Sequence, residues 1–260
     1  MEQTVASGDR IVLLAEDGRK VAIRVEPGAR RVDGLGVLDL SSLAGAAIGA
    51  VTKIGNRRFI ILRPSVLDRI ETLHRKAQII LPKDAAHILL DCDIGAGNTV
   101  VEGGAGSGAM TTALASAVSP GGKVVTYDIR AEYLRQARHN IEQAGLTDAC
   151  EFKEADITAP GAITERDVDA VVLDIPEPWR AADNAWEALR PCGYFACYTP
   201  TVNQVEQTVR ALWERRFIEI RSVETLQREM TVVEKGIRPS FEMLGHSGYL
   251  TFARKVLEKF

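Results

Sequence analysis

Two hydrophobic rhythms divide the chain. Over residues 8–63 apolar residues come in short runs, rich in Val, Ile and Leu and broken by glycines. Residues 10–14 turn at Asp17-Gly18 into residues 20–25, a hairpin signature. Further strands are predicted at 31–33, 36–39 and 50–54, the last turning at Gly55-Asn56 into 58–62. This pattern predicts an all-β module of barrel or sandwich type. From residue 64 the period lengthens. Pro64-Ser65 opens a helix through Leu67, Ile70 and Leu73, and Asp84 is expected to cap another through His87, Ile88 and Leu90. From residue 98 strand and helix alternate, as in a doubly wound parallel sheet. Strands are expected near 99–101, 123–128, 149–153, 168–174, 193–198, 217–224 and 248–254, with helices at 130–144, 183–190 and 201–214. Segment 168–174 is nearly all apolar, as a strand covered on both faces should be. Three parts follow: a small β domain (1–63), a helical linker (64–97) and an α/β catalytic domain (98–260).

The most informative stretch lies where the first α/β strand ends. The β-branched run Thr99-Val100-Val101 leads into Glu102, then into three alternating glycines, Gly104, Gly106 and Gly108, and then into helix-forming residues from Ala109. Strand, tight glycine turn and helix start make a loop that lets a nucleoside cofactor lie against the backbone. Gly104-x-Gly106-x-x-Ala109 fits the dinucleotide fingerprint, and the same residues fit the E-x-G-x-G-x-G loop of S-adenosylmethionine (SAM) methyltransferases. Asp128 ends the next strand, 20 residues after Gly108, where a carboxylate can accept both ribose hydroxyls. That spacing suits either cofactor, and an Asp there can also cap the following helix. Asp156 closes the third strand. It is placed to accept the adenine N6 amino group of SAM or, more plainly, to form an Asx turn.

Asp174-Ile175-Pro176-Glu177-Pro178-Trp179 follows the fourth strand. Two prolines around a charge stiffen this loop at the carboxyl end of the sheet, where ligands bind. Asp174 is the candidate catalytic group and Trp179 a candidate substrate contact; Glu177 is as readily a solvated charge. The run from Arg238 to Leu250 holds His246 between two glycines and is expected to form a long loop over the crevice.

Composition narrows the class. With 46% hydrophobic and 26% charged residues in 260, the chain reads as an ordinary globular protein able to bury a core without disulfides. It has no apolar run long enough for a membrane span, and its first residues do not resemble a signal peptide. Cys92, Cys150, Cys192 and Cys197 form no C-x-x-C pair, so no metal site is expected; they read as buried hydrophobes in a reducing, cytoplasmic setting. Net charge is −3, but residues 1–90 hold 14 Lys/Arg against 10 Asp/Glu, and residues 91–260 hold 18 against 25. The basic N-terminal third is either a solvated surface or a face for a polyanion.

Taken together these strings resemble the tRNA adenine N1-methyltransferase family, which modifies adenine 58 of the T-loop and, in some members, adenine 57. The matching stretches are Gln78-Ile79-Ile80-Leu81-Pro82-Lys83-Asp84, the loop from Glu102 to Gly108, Asp174 to Trp179, and Arg238 to Leu250. The resemblance implies a Rossmann-like class I SAM-methyltransferase sheet of seven strands with an antiparallel last strand, a tRNA substrate and a homotetramer. It places SAM against Glu102, Gly104, Ala105, Gly106, Ser107, Gly108, Asp128, Asp156 and Asp174, with Gln78 and Ser107 near its methionine part. Asp174 would face the target base; Trp179 and Tyr249 are candidates for an aromatic wall around it, and His246, on the long loop, for substrate contact. Three positions depart from the pattern: Leu81 stands where many members have Tyr or His, Gly103 where Ala is common, and Asp128 where Glu is common. A methyltransferase acting on a protein or small molecule would share the glycine loop, and residues 77–115 also resemble protein isoaspartate methyltransferases, but neither accounts for Asp174–Trp179 or the run from Arg238 to Leu250. A non-catalytic tRNA-binding subunit would be expected to lack both that loop and Asp174.

Overall fold

The computed structural model describes residues 3–74 and 78–258. The N-terminal module contains β1 (Arg10–Ala15), β2 (Lys20–Arg24), β3 (Ala29–Val32), β4 (Gly36–Asp39), β5 (Val51–Ile54) and β6 (Arg57–Leu62). Four of them form an antiparallel sheet in the order β2-β1-β6-β5, and β3 and β4 form a separate hairpin. Ile11, Leu13, Ile23, Phe59 and Ile61 are buried between these layers with Leu40 and Leu43, and Val32 and Leu38 of the hairpin pack against them. The module is therefore an open two-layer arrangement and not a closed barrel. Arg10 ties it to the rest of the chain by donating from Nε to Gln143 O (2.8 Å) and from Nη2 to Glu142 O (2.9 Å).

Residues 64–97 supply α1 (Val66–Glu71) and α2 (Pro82–Asp91). Ser65 caps α1 in a reciprocal box with Asp68. The expected cap of α2 is not Asp84: the helix starts one turn earlier, with Leu81 at the cap position and Pro82 in the first turn. Nor is this segment a linker in packing terms. Ile70, Ile79, Ile80, Ala85 and Ile88 share one core with Val100, Leu114 and Val124.

The α/β region runs β7 (Thr99–Gly103), α3 (Ala109–Val118), β8 (Lys123–Asp128), α4 (Ala131–Ala144), β9 (Cys150–Glu154), β10 (Val168–Leu173), α5 (Ala182–Ala188), β11 (Leu189–Thr199), α6 (Val202–Glu214), β12 (Phe217–Glu224), β13 (Met230–Val233), β14 (Gly236–Pro239) and β15 (Tyr249–Lys255). Seven strands form one sheet in the order β12-β15-β11-β10-β7-β8-β9, with β15 antiparallel to both of its neighbours. From β7 the chain winds outward through β8 and β9, then returns to lay β10 on the other side of β7. That reversal is the switch point where open α/β sheets bind ligands.

Two local readings change. The helix expected over 183–190 ends at Ala188, and Pro191 sits within β11 at an irregular register beside Cys192, whose φ is +65°. The stretch leading to His246 is not all loop, because β13 and β14 form a hairpin that is almost wholly exposed. Its apolar residues face solvent, with Val232 at 70% and Ile237 at 67% exposure, and nearby Phe241 at 85%. The cysteines are also mixed: Cys92 and Cys197 are buried and Cys192 is exposed.

Candidate active site

The glycine loop forms because β7 ends at Gly103, directly beside Leu173 of β10. Asp174 N–H donates to Gly103 O and Gly104 N–H to Tyr127 O, each at 2.8 Å, which pins three strand ends together. Gly104 has φ +95°, and a Cβ there would lie 2.1 Å from Asp174 O. No other residue fits so close an approach. Gly108, at φ +79°, starts α3 without a side-chain cap, leaving the first helical N–H groups to the loop side.

A crevice of about 300 Å³ opens at this point, and Gly104, Asp128, Asp156 and Asp174 all line it, together with Ile129 and Arg180. Asp128 is buried; its Oδ2 accepts from Ala105 N–H (3.1 Å) and its Oδ1 from Arg130 N–H (2.9 Å). It thus braces the glycine loop as well as facing the crevice. Arg130 lies over the Tyr133 ring at 3.7 Å. Asp156 forms the Asx turn, its Oδ1 accepting from Thr158 N–H and Oγ–H. Those bonds hold its carboxyl below the usual range. Asp174 is reached by solvent but flanked by protein; that partial desolvation, and then the Asp128 charge, push its pKa up to about 6.

Below the loop, Glu102 is fully buried and Oε2 accepts from Thr111 (2.6 Å) and Thr126 (2.7 Å). Its Oε1 and the buried Ser107 Oγ have no hydrogen-bond partner among the described residues. A glycine turn that admits no side chain at Gly104, a carboxylate at the second strand end and two orphaned polar atoms fit SAM, which brings a nucleoside and a zwitterionic amino-acid end. Ala105 and Gly106 continue the loop, and Gln78 lies exposed ahead of α2.

Trp179, His246 and Tyr249 are not among the residues that line this crevice. Trp179 is half-buried on a short helical turn, Pro178–Ala181, which Gln204 steadies by donating to Pro176 O. His246 is held on both sides, Nδ1 bonded to Glu224 Oε1 (2.6 Å) and Nε2 donating to Pro200 O (2.9 Å). The Glu224 bond first, then the carbonyl, raise its pKa. Both nitrogens are therefore engaged within the chain, and only the ring face remains for a ligand. The Tyr249 ring lies 4.9 Å from it. Next to His246, Ser247 meets residues far away in sequence. Lys83 Nζ contacts both oxygens of buried Asp84 (2.8 and 2.9 Å) and donates to Ser247 Oγ (2.7 Å), which donates to Asp84 Oδ2 (3.0 Å). Tyr198 Oη–H donates to Ser247 O. Burial, followed by the Asp84 and Asp174 charges, pushes the Tyr198 pKa up to about 12. Two stretches singled out in the sequence thus meet; the Lys83–Asp84–Ser247 contact itself had no sequence signal beyond an adjacent pair of charges.

Sheet order, glycine turn and strand-end carboxylates define a Rossmann-like class I SAM-methyltransferase domain. The family model of the tRNA methyltransferase complex GCD14 subunit matches residues 61–238. A relative from Methanocaldococcus jannaschii, tRNA (adenine(57)-N(1)/adenine(58)-N(1))-methyltransferase TrmI, is 34% identical over 94% of each chain. The structure is similar to a SAM-dependent O-methyltransferase from Thermotoga maritima (TM-score 0.85, 36% identity, 99% of this chain and 96% of that one). It is also similar to tRNA (m1A58) methyltransferase TrmI from Aquifex aeolicus (TM-score 0.78, 25% identity, 98% and 100%). The chain belongs to the GCD14/TrmI family of tRNA methyltransferases. Among the described residues no helix is long and apolar enough to cross a membrane, and no group of His, Cys, Asp or Glu could hold a metal ion.

Proposed function

We propose that the protein methylates N1 of adenine 58 in the tRNA T-loop, and adenine 57 as well in suitable tRNAs, with SAM as donor. The observation that carries this reading is Asp174: its backbone touches the glycine loop while its carboxyl lines the crevice, in a chain of this family. When bound, SAM supplies an electrophilic methyl group. Gly104 to Gly108 cradle it, Asp128 takes the ribose and Asp156 the adenine. Adenine N1 is nucleophilic when neutral, so Asp174 is asked chiefly to orient the base by accepting from its N6 amino group. It also stabilises the positive charge that develops on the ring. The target base must leave its stack to reach Asp174, and Trp179, His246 and Tyr249 supply the wall that receives it. The basic N-terminal third supports contact with tRNA phosphates. We further assign a homotetramer working on the cytoplasmic tRNA pool; the exposed apolar hairpin β13–β14 supports self-association.

The name of the Thermotoga structure favours a second reading, methyl transfer to an oxygen acceptor. Labelled SAM, unmodified tRNA transcripts and nucleoside mass spectrometry separate the two. The proposal expects N1-methyladenosine, lost when adenines 57 and 58 are both replaced. Incorporation as an O-methylated nucleoside, or none, would refute it.

A further inference from the structure

Glu102, Asp128 and Asp174 come from three adjacent parallel strands. Glu102 is in register with Thr126 on β8 and Val172 on β10. Asp128 and Asp174 each lie two residues further on, so all three carboxyls project to one face of the sheet. Glu102 is 1% exposed, and its Oε1 has no partner while Oε2 accepts two hydroxyls. Among the described residues, the groups that face it bring no positive charge. Asp128 lies on β8, Asp174 beyond β10 and the Cys150 thiol on β9, while α3 offers the Thr111 hydroxyl. Nearby Arg130 is half-exposed, and the carboxylate it meets among the described residues is Asp128, at 3.5 Å. A buried carboxylate in such company lacks a counter-ion.

We propose that Glu102 is a proton-linked counter-ion for the cationic methyl donor: it holds a proton in the free protein and releases it to solvent when the donor's positive charge occupies the crevice. This rests on the SAM reading above, but not on tRNA being the acceptor. Burial, opposed by the two threonine hydroxyls and reinforced by Asp174 and Asp128, places the pKa of Glu102 near neutrality, at about 7. The donor's charge then favours the ionised form, with one carboxyl proton lost to buffer and no other bond changed. Because the proton must leave, SAM affinity should rise with pH, by roughly 10-fold between pH 6 and pH 8.

The test is calorimetric titration of the full-length protein with SAM, in buffers of different ionisation enthalpy, for wild type and Glu102→Gln. At pH 7 the wild type should release about 0.5 proton more per SAM than the variant. Taking the difference cancels the amino group of SAM and the Asp174 carboxyl, which titrate in both. Equal proton release would overturn the inference, as would SAM Kd profiles from pH 6 to 8 that run parallel in wild type and variant; Glu102→Ala serves the same comparisons where Glu102→Gln does not fold. If wild type binds no SAM, the cofactor reading fails and takes this inference with it.

Discussion

Three neighbouring glycines make a graded test of the loop, because a methyl group added at each meets something different. At Gly104 the new Cβ would lie 2.1 Å from Asp174 O, more than an ångström inside a normal contact of roughly 3.5 Å. That oxygen belongs to backbone, and the Asp174 N–H to Gly103 O and Gly104 N–H to Tyr127 O bonds leave it little freedom. The positive φ adds its own penalty. Gly104→Ala should therefore cost about 3–5 kcal/mol, in the range reserved for severe core damage. It should also displace Asp174 by about an ångström, enough to slow turnover on the order of 10²-fold. Gly106, at φ +49° with open space around it, should lose only about 1 kcal/mol as Ala. Gly103 has an ordinary backbone, and its Cβ would meet the side-chain tips of Leu173 (2.8 Å) and Ile157 (2.9 Å), which can rotate. Gly103→Ala should cost about 1–2 kcal/mol. Urea unfolding of the three variants, with SAM Kd measured alongside, reads the order directly. If Gly104→Ala is no worse than Gly106→Ala, the close approach of loop and Asp174 is wrong.

Two further outcomes concern buried charge. Lys83→Met removes the cation paired with fully buried Asp84, and should cost about 3–5 kcal/mol in urea unfolding; Ser247→Ala, which removes one hydrogen-bond partner, should cost about 1–2 kcal/mol. A near-neutral Lys83→Met would show that the anchor contributes little. The Glu102 pKa is raised from 4.5 to about 7, so between those values the folded chain holds a proton that the unfolded chain has lost. Wild-type stability should fall as pH rises through that window. Glu102→Gln cannot titrate, so it should match the wild type near pH 4 and exceed it above pH 7, by on the order of 3 kcal/mol. Thermal melts without ligand from pH 4 to 8 check this, and parallel pH curves would contradict it.

What could be read from the sequence was local. The turn from Glu102 to Gly108, Asp128 at a strand end and the rigid loop after Leu173 each carry their geometry in a few consecutive residues, and each sits where expected at the switch point. Local preference and structure part where distant packing overrides the sequence signal. Asp84 looks like a cap, but Lys83 and Ser247, the latter 163 positions from Asp84, draw it into the core. Pro191 looks like a helix stop, yet the bulge in β11 accommodates it within a strand. The β13–β14 hairpin leaves no periodic signal in the sequence, because its apolar residues cover no core among the described residues and neither strand shows an alternating buried face. Lone His246 gave no hint that Glu224 and Pro200 would engage both of its nitrogens.

The central claim is that Asp174 acts on the acceptor base beside a cofactor held by other groups. It is tested most directly by single-turnover methyl transfer to unmodified tRNA, with SAM Kd measured on the same samples, for wild type and Asp174→Ala. The account predicts a rate reduced by roughly 10²-fold or more with SAM affinity within a few-fold of wild type. An unchanged rate, or equal losses in rate and in SAM affinity, would contradict it.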